Sequence, residues 1–436
     1  MGDPIGTIKD LREKLSRCDK FATHFEDRGL RDRQWKALAM ICIAFDEWGQ
    51  GDVAKGLLDK QLELYKITDK NLEDFLNICE NISDQLAADR ATAFLPIIAA
   101  QSFFIGALAI AMFKTASITP GSGNYISVEI HSIAFSALYF WIIPAVFFSA
   151  VIGVSQTAKS IPSFLKTLKS DFDNHDFLHD ILPDVHFVDK DELRTLNGGI
   201  YSWQPRAKQQ KVFQAPALES FIAFSSITSS ILTSCLFSGF VPADGLQPRH
   251  CAYLFYFLMW VQSFVLTDLL KPSHSSNSRE HMEDQKLTTS KQTLPADMVR
   301  FRLTYLKDFV WTLGTIGPLM YIQAGPFNNC EAYAAWGRAG LALPEMPDIA
   351  RLLKERIHGL YIVIAVLGIG IQIFITVGSL WGCRKGLRVL LQNDDGTSLR
   401  PDWLRWSKAG LLRRLKEFQR SFYSGFYLLD NFARSN

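Results

Sequence analysis

Long apolar runs alternate with polar segments along the chain, and the basic residues between the runs alternate between many and few. The runs cover Ala91–Phe113, Ile126–Val154, Leu218–Phe240, Cys251–Leu270, Leu303–Ala324 and Leu360–Trp381. Each is about as long as the roughly 20 residues a helix needs to cross a hydrocarbon core, so the pattern predicts six membrane spans. Thr115–Tyr125 carries no Lys or Arg and Val241–His250 only Arg249, whereas Ser155–Pro216, Lys271–Arg302 and the tail after Gly382 are basic. The positive-inside rule then places both termini in the cytosol. Gly325–Gly359 runs against this order, because it is assigned to the lumen yet holds Arg338, Arg351, Lys354 and Arg356.

The polar segments have patterns of their own. Residues 1–90 are expected to form a cytosolic helical domain, in which Trp35, Leu38, Cys42 and Phe45 share one helix face. Leu72, Phe75, Cys79, Ile82 and Leu86 share another, with Ile67-Thr68-Asp69 as its cap and Gly49-Gln50-Gly51 as a preceding turn. Residues 91–154 hold spans one and two, 155–216 a cytosolic loop long enough to fold, and 217–382 spans three to six. Residues 383–436 form a basic tail with an apolar stripe of Leu404, Leu411, Leu415, Phe418, Phe422 and Phe426, the mark of an amphipathic interfacial helix. The fold class is therefore an all-α polytopic membrane protein.

Composition narrows the classes. Hydrophobic residues make up 48% of the chain, and the formal charge of +2 says nothing global about partners because the charges are segregated by compartment; no nucleic-acid partner is expected. The mean hydropathy of +0.06 describes a chain half in lipid and half in water. The N-terminus lacks the apolar core of a signal peptide, so the first span is expected to direct insertion into the endoplasmic reticulum. Cys251 and Cys330 fall on the lumenal side, where a disulfide is chemically feasible and two free thiols are the alternative. Phosphate-loop, GxSxG, HExxH and paired CxxC motifs are missing, as are an arginine ladder and a TVGYG-like filter.

Ionisable residues at the spans are the first candidates for chemistry, because they are costly there. Glu129 and His131 open the second span, Glu219 opens the third, Asp268 closes the fourth, and Lys307 with Asp308 lies early in the fifth. Singly, each also fits an interfacial anchor or ion-pair partner. In the fourth span Tyr253, Phe257, Trp260, Phe264 and Asp268 follow one face, an acid below four aromatic rings. Polar stripes on the third, fifth and sixth spans (Ser226, Ser230 and Thr233; Thr312 and Thr315; Gln372, Thr376 and Ser379) suit a shared cavity or ordinary helix pairing. An acid beside aromatic faces suits prenyl cyclisation: the acid protonates an alkene or epoxide, and the rings stabilise the migrating cation. Asp268, Glu219, Asp308 and Glu129 are the candidate catalytic acids, and Tyr253, Phe257, Trp260 and Phe264 the cation-stabilising rings. His175, His179, Asp176, Asp180 and Asp184 have a spacing that suits a metal on a helix. Pro183 and the lack of a DDxxD string favour a solvated acidic face, so no metal or cofactor is expected.

The run Arg31–Leu38, the block Gln101–Gly106 and the segment Gly198–Pro205 resemble filamentous-fungal polytopic membrane proteins. The overall plan resembles the membrane-bound terpene cyclases of fungal meroterpenoid pathways, the ascofuranone and macrophorin type. That resemblance implies a redox-neutral cyclase of secondary metabolism. It would take a hydrophobic prenylated small molecule, a farnesylated phenol or quinone, from the lipid bilayer, with pathway enzymes on the same membrane. The site residues above are chosen by position in this chain. The alternative is a non-enzymatic transporter, channel-like or scaffold membrane protein.

Overall fold

The computed structural model describes residues 3–47, 51–65, 69–89, 94–117, 126–152, 160–174, 217–241, 246, 248–270, 302–303, 306–317 and 347–391. Every regular element among them is a helix. The histidine–aspartate cluster of 175–186, Cys330, most of the basic segment after Leu270 and residues 392–436, with the amphipathic stripe, lie outside the described residues.

The described residues of 1–90 form four helices: α1 (Pro4–Glu26), α2 (Asp32–Glu47), α3 (Gly51–Tyr65) and α4 (Asp69–Asp89). Helix α1 starts where the Asp3 carboxylate accepts from the Gly6 N–H at 2.8 Å and Pro4 fills the first turn. Gly29, at φ 72°, turns the chain towards α2, a left-handed conformation that favours glycine. Gln34 then accepts from the Arg31 N–H at 3.2 Å, one half of a capping box. The structure corrects the one-faced reading of α2. Every residue from Gln34 to Phe45 is buried, as the unbroken apolar run Ala37–Phe45 requires of a helix surrounded on all sides. Helix α4 keeps the expected stripe: Phe75, Cys79, Ile82 and Leu86 are fully buried. Against it packs α8 (Ser160–Asp173) from the long loop, burying Ile161, Leu165, Leu168 and Phe172, with Phe172 stacked on Phe75 at 5.6 Å.

Among the described residues, four stretches are long and apolar enough to cross a membrane: Glu129–Ile152, Leu218–Gly239, Arg249–Thr267 and Arg351–Gly382. Helix α5 (Phe94–Ser117) stands over the first expected span, and residues 306–317, helix α11, over part of the fifth. The second expected span is not one helix but two, α6 (Ile126–Ala137) and α7 (Ile142–Ile152). Pro144 is the cause. It has no N–H for the Phe140 carbonyl, which accepts instead from Ile143 at 3.0 Å, so residues 135–143 are linked by tighter i→i+3 bonds. Helices α9 (Ala217–Gly239) and α10 (Pro248–Leu270) follow. After α12 (Pro347–Arg356), a π-helical turn at Ile357–Tyr361 leads into α13 (Ile362–Gly382).

Two close approaches fix the assembly. A Cβ on Gly368 of α13 would lie 2.6 Å from Thr233 Cγ2, so α9 and α13 meet through a missing side chain. A Cβ on Gly386 of α14 (Arg384–Leu390) would lie 2.5 Å from the Asp19 nitrogen. At that point Asp19 Oδ1 accepts from the N–H groups of Lys385 and Gly386 at 2.9 and 3.0 Å, so α1 caps a helix from the other end of the sequence. Outward-facing Phe103, Phe113, Phe221, Leu258, Leu313 and Phe374 are all at least half exposed, a surface suited to lipid rather than water.

Candidate functional site

Helix α1 lies across one end of the bundle, and the expected acid Glu219 meets it there. Arg12 occupies the same apolar stripe as Ile5, Ile8 and Leu15 and is itself 4% exposed. Its Nε stands 3.0 Å from Oε2 of Glu219, a charge pairing rather than a directed hydrogen bond. Its Nη1 reaches the Ser379 carbonyl at 3.3 Å and the Cys383 Sγ at 3.0 Å. One guanidinium thus joins α1 to the first turn of α9 and the last turn of α13. Glu219, at 2% exposure, has its charge answered by this contact.

A second polar knot lies at the same end. Lys307 on α11 donates to Ser263 Oγ at 2.9 Å and Thr267 Oγ1 at 2.7 Å, and pairs with Asp308 at 2.7 Å. Thr267 donates to Asp3 Oδ2 at 2.9 Å. Burial pushes the Asp3 carboxyl above its ordinary pKa, against the opposing pull of the Gly6 N–H, Lys307 and Thr267. Lys9 sits 5.1 Å above the ring of Phe264. The backbone of Asp268 follows Thr267 on α10; its carboxyl lies outside the described residues.

The fourth candidate acid is at the far end. Glu129 pairs with Lys114 of α5 at 3.3 Å, both partly exposed. It is therefore separated from Glu219 and Asp308 by the length of the spans. Near it, buried His131 approaches Ser238 at 3.4 Å, Ser238 shares a 2.9 Å hydrogen bond with the Tyr253 hydroxyl, and Tyr253 bonds to buried Arg249. Between the two ends the polar contacts are neutral. Gln372 accepts from Ser226 Oγ at 2.7 Å and donates to the Ser226 carbonyl at 2.9 Å and to Ser229 and Ser230.

The aromatic face of α10 turns into the bundle. Tyr253 and Trp260 are buried, and Phe257 and Phe264 pack partly buried against the same core. Trp260 meets Trp141 edge-on at 6.3 Å between ring centres, and Phe264 meets Phe224 at 5.6 Å. The four rings occupy successive turns rather than closing around one point. Sequence reasoning missed Arg12, Asp3, Trp141 and Tyr256. A signal existed for Arg12, a cation inside an apolar stripe. Among the described residues no group of three or more His, Cys, Asp or Glu side chains is placed to hold a metal. No family model matches the chain, and neither a curated protein nor a solved structure is detectably similar to it.

Proposed function

We propose that the chain is a six-span integral membrane enzyme with both termini cytosolic, resident in the endoplasmic reticulum. On this reading it cyclises the prenyl chain of a farnesylated phenol or quinone. The observation that carries the reading is the aromatic face of α10, which lies inside the bundle with Asp268 one turn beyond Phe264. Trp260 and Tyr253 present π-rich surfaces in a setting without water, where a passing carbocation is stabilised by about 2 kcal/mol per ring. The acid role falls to Asp268, because Glu219 and Asp308 each have a cationic partner and Glu129 is at the far end. Orientation follows the charge pattern: the end that carries Arg12, Lys307, Lys385 and Arg388 is cytosolic.

The test is direct. Microsomes containing the protein, given farnesylated arenes and their epoxides, should release isomers of unchanged mass. Asp268→Asn should lower the rate by about 10²–10⁴-fold with insertion intact. Undiminished turnover in that variant removes Asp268, and absence of any product across these substrates removes the cyclase. The scaffold or transporter reading is favoured by a different observation, the ion pairing of Glu219 and Asp308, which gives both acids a structural task.

A further inference from the structure

Near the centre of the bundle three hydrogen-bond donors are buried with nothing to receive them. The indole N–H of Trp141, the indole N–H of Trp260 and the hydroxyl of Tyr256 are buried without a hydrogen-bond partner. The residues are 5%, 2% and 1% exposed and belong to one packed cluster. Trp141 and Trp260 are in edge contact at 6.3 Å, and Tyr256 precedes Trp260 by one turn of α10.

Depth makes this arrangement unusual. Trp260 stands midway between Tyr253 and Thr267, which mark opposite ends of the bundle. Trp141 lies about 15 Å along its span from His131, near the midpoint of Glu129–Ile152. At that depth neither water nor a headgroup oxygen is at hand, and side-chain donors normally find a partner on another helix. Nearby polar groups obey this rule: Trp311 Nε1 donates to the Met259 carbonyl at 2.9 Å, and Ser234 donates to the Ala134 carbonyl at 2.6 Å.

A second observation points to the same place. Trp141 sits at the break between α6 and α7. Interrupted helices at membrane depth are tolerated where they are buried in protein or line a site, and they mark binding sites in many membrane proteins.

We propose that Trp141, Tyr256 and Trp260 form a binding site for a carbonyl oxygen on an apolar ligand, with the rings enclosing the carbon framework and the three donors meeting the oxygen. A quinone is the ligand class that combines an apolar body with such an acceptor. The site shares Trp260 with the proposed cyclase site, and a quinone is one of that reading's substrates, but the inference concerns binding and holds for a ligand that leaves unchanged.

The probe is a benzoquinone with a saturated decyl tail, compared with decylbenzene, which has the tail and ring but no oxygen. The full chain in nanodiscs should be stabilised against heat, saturably, by the quinone and not by decylbenzene. Tyr256→Phe, Trp141→Phe and Trp260→Phe each remove one donor and keep a ring. Each should weaken quinone binding roughly three- to ten-fold, the worth of one hydrogen bond. Tyr256→Phe retains every tryptophan, so its affinity is also read from quenching of tryptophan fluorescence. Equal response to both probes, or unchanged quinone affinity in all three variants, overturns the proposal; the latter result would assign the donors to an enclosed water. The saturated tail holds no alkene to protonate, so failure of cyclase assays does not bear on this outcome.

Discussion

The α1 end of the bundle and its centre solve the same problem differently. Both bury polar side chains between helices. At the α1 end the groups are ions, Arg12 with Glu219 and Lys307 with Asp308, whereas at the centre they are neutral, Gln372 with three serines. The cost of removing an ion from water rises steeply with depth, while an amide that makes all its hydrogen bonds can be carried to the middle. The seam under α1 keeps its charges because each has a counter-charge beside it, Arg12 of α1 for Glu219 and the neighbouring Asp308 for Lys307. The centre has no such supply and uses hydroxyls that already bond to their own backbone, as Ser230 does to the Ser226 carbonyl at 3.0 Å.

The contrast breaks most readily at Arg12. Arg12→Ala leaves Glu219 buried and unpaired, which should cost about 3–5 kcal/mol of stability. Arg12→Met combined with Glu219→Leu should regain most of that loss, as read by SDS titration of the purified protein in mixed micelles. A single variant as stable as the parent would mean that the seam holds no strongly coupled charge. Gln372→Leu probes the neutral region and should cost less, about 1–2 kcal/mol, since hydrogen bonds between membrane helices average well below 1 kcal/mol each. The same titration reads it, and a loss equal to that of Arg12→Ala would erase the distinction between the two regions.

The smallest effect is expected at Asp3. Asp3→Ala removes the cap of α1 and should cost about 1 kcal/mol, whereas Asp3→Asn should cost only a few tenths. Its pH dependence sharpens the contrast. Burial raises the Asp3 pKa in the folded chain above its ordinary 3.8, so the folded state holds this proton more tightly than the unfolded one. Its contribution is therefore most favourable below the ordinary pKa and is lost as pH rises through the raised value. As pH rises above the ordinary pKa, Asp3→Asn should show a flatter stability profile than the parent, and parallel profiles would remove Asp3 from the pH response.

Legibility in the sequence followed the range of the interactions. Helix α9 occupies 217–239 where the apolar run covers Leu218–Phe240, and α4 carries its stripe at the expected positions, because burial of one face writes itself into neighbouring residues. The division of the second span at Pro144 was marked locally by the proline, yet the run on both sides is so apolar that hydropathy alone reads it as continuous. Arg12 and Glu219 could not be paired from the chain, since 207 positions separate them and periodicity says nothing about which charged groups meet. The same holds for Trp141 and Trp260. Their rings look like ordinary core residues, and only tertiary placement leaves their donors without acceptors.

The clasp between Asp19 and the Lys385–Gly386 amides has a consequence for biosynthesis. Helix α1 leaves the ribosome well before its capping partners and the Ser379 carbonyl are made. At about 5–20 residues per second, the interval is on the order of 20–70 s. Throughout it, the stripe of Ile5, Ile8, Leu15 and Phe21 has no finished surface to rest on. Nascent chains halted before Ser379 should therefore leave α1 open to protease and to chaperones that hold apolar helices, whereas chains carried past Leu390 should close over it.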